Sequence, residues 1–155
     1  DPHGWYRRQR QMCIRDREYA KQLLQGKYPA APKFSVMISH VKDVAKAHVL
    51  SLRNKRAGGR RLIVGSEVRS ILELSQIMAK NIPSHAKKLP KRELPNFMVK
   101  LFSYIDTSAK TMVPDLGLKM QTDQTYAEDI LQIKFTASEI AVVDAAKSLI
   151  RLNLA

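Results

Sequence analysis

Cysteine is almost missing: Cys13 stands alone among 155 residues, so no internal disulfide can form and packing must hold the fold. No run approaches the roughly 18 apolar residues that a bilayer span requires. The N-terminus, rich in Arg and interrupted by Pro2 and Gly4, lacks the apolar stretch of a secretory signal. These absences predict a soluble, cytoplasmic protein with no membrane partner. His3, His40 and His85 form neither an H-x-x-x-H pair nor a Cys/His cluster, so metal chemistry has no ligand spacing to rest on. Internal repeats and low-complexity tracts are also absent. Acidic residues are scarce, 14 against 27 Lys and Arg, and the formal charge is +13.

What is present is a globular composition, 45% apolar, of a length that makes about one domain. A domain of this size buries roughly two thirds of the surface its unfolded chain exposes, so a core forms without metal or disulfide support. The charge raises the question of a phosphate-bearing partner. The basic residues are scattered, however, and the dense group Lys87, Lys88, Lys91 and Arg92 lies in a Pro-rich loop with no aromatic stacking partner. Nucleic acid is therefore not the expected partner, and a noncatalytic basic α/β module for RNA or acidic partners is kept as the alternative reading.

Residues 1–17 show no hydrophobic period of two or 3.6 and contribute +3 of the net charge. Within them, Met12-Cys13-Ile14-Arg15-Asp16-Arg17 resembles the translation of a transposon-end adapter used in sequencing libraries, the kind of scar that fold reasoning sets aside. An authentic basic arm is the alternative. On the first reading the native segment starts near Glu18.

The rest alternates between strand and helix signals. Tyr19 to Gln25 reads as a helix end stopped by Gly26, and Pro29 to Pro32 as an extended connector. Phe34 to Val41 reads as a strand covered on both faces. Asp43 then offers a helix N-cap, and Val41, Val44, Ala45, His48 and Leu52 form a stripe expected to lie on the sheet, with His48 half-buried on it. Ala57-Gly58-Gly59 ends that unit. Arg61 to Gly65 reads as a second buried strand parallel to the first, and Ser70-x-x-Glu73 as a capping box opening a helix with Ile71, Leu74, Ile77 and Met78 inward. Pro83 closes it. Beyond a basic loop from Pro83 to Pro95, short helices are predicted at Asn96 to Tyr104 and Thr107 to Met112, and a brief strand at Lys119 to Thr122. Further helices are expected from Asp123 or Thr125 to Leu131 and from Ser138 to Leu152, the last with Val142, Ala145, Ala146, Leu149 and Ile150 inward.

His40-Val41-Lys42-Asp43-Val44-Ala45-Lys46-Ala47-His48 resembles the V-x-V-R-D-V-A-x-A-H pattern of extended short-chain dehydrogenases/reductases, close to the dihydroflavonol reductase and NAD-dependent epimerase/dehydratase branch. Leu23 to Pro29 is similar to the helix end before that pattern, and Arg60 to Val64 to a late strand after it. Lys88 to Pro95 is similar to the loop entering the small domain, and Ile130-Leu131 through Asp144 to Ile150 to the terminal helix. The pieces follow one another in the family's order and cover about residues 19–155.

The resemblance implies an α/β fold: the C-terminal part of a doubly wound, Rossmann-like domain, with two short parallel strands, and a small, mostly helical substrate-side region. Its divisions fall at 18–82 and 83–155. It also implies a parent that uses NADP or NAD on a carbonyl-type small molecule. The family's Gly-rich turn, which lets a pyrophosphate approach a helix N-terminus, has no counterpart here. Nor has its Tyr-x-x-x-Lys pair, because none of Tyr6, Tyr19, Tyr28, Tyr104 and Tyr126 has Lys four residues on. No catalytic or cofactor-binding residue carries over, and the chain alone is expected to be inactive and to bind no cofactor. His40, at a strand end beside Ser39, and Phe97, with Met98, Phe102 and Tyr104, are the candidates for a substrate pocket; a structural role is the alternative for His40 and a core role for Phe97 and its neighbours. A hydrolase built on Ser39 or Ser66 lacks a strand-turn-helix nucleophile motif.

Overall fold

The computed structural model describes residues 18–102, 104, 113, 116–118 and 120–155. The N-terminal stretch, with its lone cysteine, lies outside them, as does the helix expected at Thr107 to Met112. A first helix, α1, occupies 18–24 and ends where Gly26 takes a φ of +72°, a conformation glycine adopts at no steric cost. The Cβ of Lys88 lies 3.3 Å from the position a Gly26 Cβ would take, so the turn also allows the basic loop to pass close by.

The expected connector holds a small strand, β1 (Ala31–Pro32), paired parallel with β4 (Glu93–Leu94). These are the two short parallel strands of the fold. The predicted strand after Pro32 is β2 (Ser35–Ile38), and its partner is β3 (Glu67–Ser70), antiparallel with Ser35 opposite Ser70 and Ile38 opposite Glu67. Two expectations are thereby corrected. Arg61 to Gly65 forms no strand, and β2 is half-buried except at Ile38, because a two-stranded ribbon has a single covered face. Gly65 lies so close to β2 that a Cβ there would come within 2.7 Å of Met37 Sδ.

Helix α2 (Val41–Arg53) starts two residues before Asp43. His40 is its N-cap, its ring accepting from the Lys42 N–H, while Asp43 in the first turn accepts from the Thr136 N–H at 2.6 Å. The apolar stripe does not face a sheet: Val41, Ala45, His48 and Leu52 are exposed, and Ala47 is the buried residue of α2. A 3-10 turn at Lys55–Ala57 follows, ending near Gly59.

Helix α3 (Ile71–Asn81) carries the capping box in full, with Glu73 N–H bonded to the Ser70 hydroxyl and the Ser70 N–H to the Glu73 carboxylate at 2.7 Å. It buries Ile71, Leu74, Ser75 and Met78, and Pro83 starts the 3-10 turn that follows. Three helices complete the described chain: α4 (Asn96–Phe102), α5 (Thr125–Leu131) and α6 (Ser138–Arg151). Residues 120–124 form no strand. On α6 the inward residues include Ala141, Val142, Val143, Ala146 and Leu149, whereas Ala145 is exposed.

Packing gathers two cores. The larger joins Leu23 and Leu24 of α1, Ile71, Leu74 and Met78 of α3, and Val142, Ala146 and Leu149 of α6 beneath β1 and β2. A smaller one holds Ala47 of α2 with Ala127, Ile130 and Leu131 of α5 and Ile133 and Phe135, lined in addition by Leu50, Leu62 and Val64. At roughly 25 cal/mol per Å² of apolar surface removed from water, these clusters are the main source of stability in a chain without crosslinks.

Candidate functional site

The sequence singles out the end of β2, and the structure places there a set of side chains engaged with one another. His40 is buried, 7% exposed, and its Nε2 lies 3.3 Å from Asp144 Oδ2 on α6. Its Nδ1 accepts the Lys42 N–H at 3.2 Å, which puts the ring proton on Nε2, directed at the carboxylate. A histidine held by a carboxylate resembles the base of a catalytic pair, but here the second nitrogen has no lone pair to offer a substrate without breaking the helix cap. Ser39 and Ser66 are likewise engaged: the Ser39 hydroxyl donates to the Val64 carbonyl at 2.7 Å and that of Ser66 to the Ile38 carbonyl at 3.3 Å. Neither hydroxyl meets His40 as a nucleophile meets its base.

Phe97 sits on α4 with 70% of its surface exposed, and Tyr104 is 88% exposed. Met98 is half-buried; the side chain of Phe102 lies outside the described residues. Neither Phe97 nor His40 lines the two hollows that follow. The larger hollow, about 340 Å³, lies between α3 and the basic loop and is lined by Ser75, Ala79, Lys87, Leu89, Pro90 and Lys91 among others. Ser75 faces it from α3 and donates to the Pro90 carbonyl at 2.6 Å, which anchors the loop. A smaller one, about 180 Å³, lies between Arg56, Arg60, Tyr126 and Ile130. Arg60 bonds the Tyr126 hydroxyl at 2.5 Å and Arg56 pairs with Asp129 at 3.0 Å.

Along β3 lies a network that sequence reasoning found only in part. Arg69 of β3 reaches Glu67, Glu73 at 3.5 Å and, through Nε, the Ser138 hydroxyl at 3.0 Å. Ser138 is fully buried and donates to Glu67 at 2.5 Å. The Ser138 hydroxyl, with Arg69 beside it, holds the Glu67 carboxyl below its ordinary value. The Ser70 N–H does the same for Glu73, and Glu67 raises Arg69. The spacing of Arg69 and Glu73, four apart at a helix start, is a signal legible in the sequence.

Among the described residues no group of three His, Cys, Asp or Glu is gathered as a metal site, and no helix is long and apolar enough to cross a membrane. Nor do the described helix starts fit the dinucleotide implied by the family resemblance. A pyrophosphate needs free N–H groups at a helix N-terminus. That of α2 is capped by His40 and that of α3 by Ser70 and a carboxylate, while α6 has no side-chain cap but opens at Ser138 beside the Glu67 carboxylate, which repels a phosphate.

No protein-family model and no curated protein matches the chain. Solved structures do. Gre2 from Candida albicans superposes with a TM-score of 0.63 at 22% identity, over 88% of this chain and 37% of that one. A yeast methylglyoxal/isovaleraldehyde reductase, Gre2, solved with NADPH, gives 0.59 at 20% identity, over 86% and 39%. A reductase engineered for asymmetric catalysis gives 0.60 at 23%, over 86% and 35%. The chain thus shares its α/β fold with part of these reductases and spans little more than a third of their length.

Proposed function

We propose that the chain is the C-terminal part of an NAD(P)-dependent oxidoreductase of the extended short-chain dehydrogenase/reductase kind, acting on a carbonyl-type small molecule. The observation that carries this reading is the superposition of nearly the whole chain on about a third of NADPH-dependent reductases, joined to the family pattern from His40 to His48. NADP is the favoured cofactor of the parent because such neighbours are solved with NADPH. Residues 18–82 then supply the last elements of the Rossmann-like part and 83–155 the substrate-side region. Phe97, its ring exposed, is available to a substrate of the parent; His40 reaches one only by giving up its cap or its bond to Asp144.

On this reading the parent's hydride and proton transfers use residues outside this chain, and the chain alone is inactive. Titrating it with NADPH and following nucleotide fluorescence is expected to show no saturation at micromolar concentrations, because the starts of α2 and α3 are capped by the protein's own groups and that of α6 opens beside the Glu67 carboxylate. Saturable micromolar binding would overturn the assignment of the cofactor site to the rest of the parent.

A further inference from the structure

The hollow between α3 and the basic loop has the make-up of a small-molecule site and takes no part in the proposed function. Its volume of about 340 Å³ falls at the lower end of the roughly 300–1,000 Å³ that such sites occupy. Ala79 of α3 and Ala86, Leu89 and Pro90 of the loop give it apolar walls, with Lys87 and Lys91 exposed at its border. The walls are tied together without a ligand. The Ser75 hydroxyl donates to the Pro90 carbonyl at 2.6 Å, and the His85, Ala86 and Lys88 N–H groups close turns onto the Ile82, Pro83 and His85 carbonyls. The Ala31 N–H holds the far end of the loop through the Arg92 carbonyl at 2.8 Å, so binding demands little ordering of the loop. From Pro83 to Arg92 the chain carries four Lys and Arg and no acid. The lining holds no carboxylate, and among the described residues Lys87 and Lys91 enter no ion pair, Glu93 being taken by Lys33 at 3.3 Å.

We propose that this hollow binds a small carboxylate carried on an apolar body, the body against Ala79, Ala86 and Leu89 and the carboxylate at the Lys87 and Lys91 ammonium groups. Apolar surface removed from water supplies the attraction, and the two cations select the sign of the ligand's charge. A bare phosphate leaves the apolar walls wet, and a nucleic-acid strand finds no aromatic ring in the lining to stack on. Every lining residue belongs to this chain, and none is among the groups assigned to the parent's cofactor or substrate, so the site is independent of the proposed function.

The probe is 4-phenylbutyrate, titrated into the 155-residue chain and followed through its amide resonances. The amides of Gln76, Ala79, Ala86, Lys87 and Leu89 are expected to shift together and to saturate at millimolar concentration or below. The uncharged 4-phenylbutyramide binds about fivefold more weakly or worse, and so does the carboxylate to the double variant Lys87→Gln/Lys91→Gln. Lys88→Gln, in the same loop but outside the lining, changes the affinity by about twofold or less. Ala79→Leu fills the hollow and abolishes saturation; should it fail to fold, the lysine variants, altered only at exposed positions, still decide. Equal affinity for amide and carboxylate, or an equal loss in Lys88→Gln and the double variant, overturns the site. Shifts that never saturate, or that scatter beyond these residues, overturn it as well. Inorganic phosphate saturating the same amides at the same concentration leaves the apolar walls without a part and overturns the proposed ligand. Single-stranded RNA saturating them with an affinity that falls steeply with salt replaces it by a phosphate-backbone surface.

Discussion

At His40 one imidazole serves two neighbours, the Lys42 N–H through Nδ1 and the Asp144 carboxylate through Nε2, and the two bonds can be separated by substitution. Asn in place of His40 keeps an acceptor for the cap and loses the reach to α6; Ala loses both. His40→Ala is expected to cost about 1–2 kcal/mol in urea unfolding, and His40→Asn distinctly less, the difference being the share of the cap. Equal costs would mean that the cap contributes nothing. The sequence suggested Asp43 for the cap because Asp is a strong cap-former, and it marked His40 as a residue at the end of a strand. The ribbon decides between them. Ser66 bonds the Ile38 carbonyl through both its N–H and its hydroxyl, which ends β2 there and lets the helix begin at Val41.

Among elements, the contact of β3, α3 and α6 has the clearest pH signature. The folded carboxyls of Glu67 and Glu73 lie below their ordinary value. Their contribution is therefore complete above the unfolded carboxylate pKa of about 4.3 and is lost as pH falls through the lower folded values. Urea midpoints measured from about pH 6 down to about pH 3 should fall with acid, and Arg69→Met should flatten that fall because Arg69 favours both charged carboxylates. An unchanged acid slope in Arg69→Met would exclude the Arg69 charge as its source. The capping box and the Arg69–Glu73 spacing were legible because they are local. Ser138 was not, since its bonds to Glu67 and Arg69 span about seventy residues of sequence. For the same reason α3 and α6 were read nearly to their ends, whereas the pairing of β2 was assigned to the more apolar 61–65 instead of Glu67–Ser70.

Over the whole molecule the governing quantity is charge. At +13 the folded chain repels itself, and the ion pairs it makes are on exposed or half-exposed side chains that contribute little. Its melting temperature should rise as the Debye length shrinks from roughly 30 Å at 0.01 M salt to roughly 10 Å at 0.1 M. A fall over that range would show that the surface ion pairs outweigh the repulsion. The amino-acid order alone determined the α/β class, most helices, the stop at Gly26 and the capping box. Each of these follows from residues within a few positions of one another, where periodicity, caps and glycine act directly. Only the tertiary structure decided which strands pair, that His40 is used up in a cap, and which side of α2 lies outward. Those outcomes depend on segments far apart in the chain, and on α2 an apolar pattern shows that a surface is suited to burial without showing what covers it.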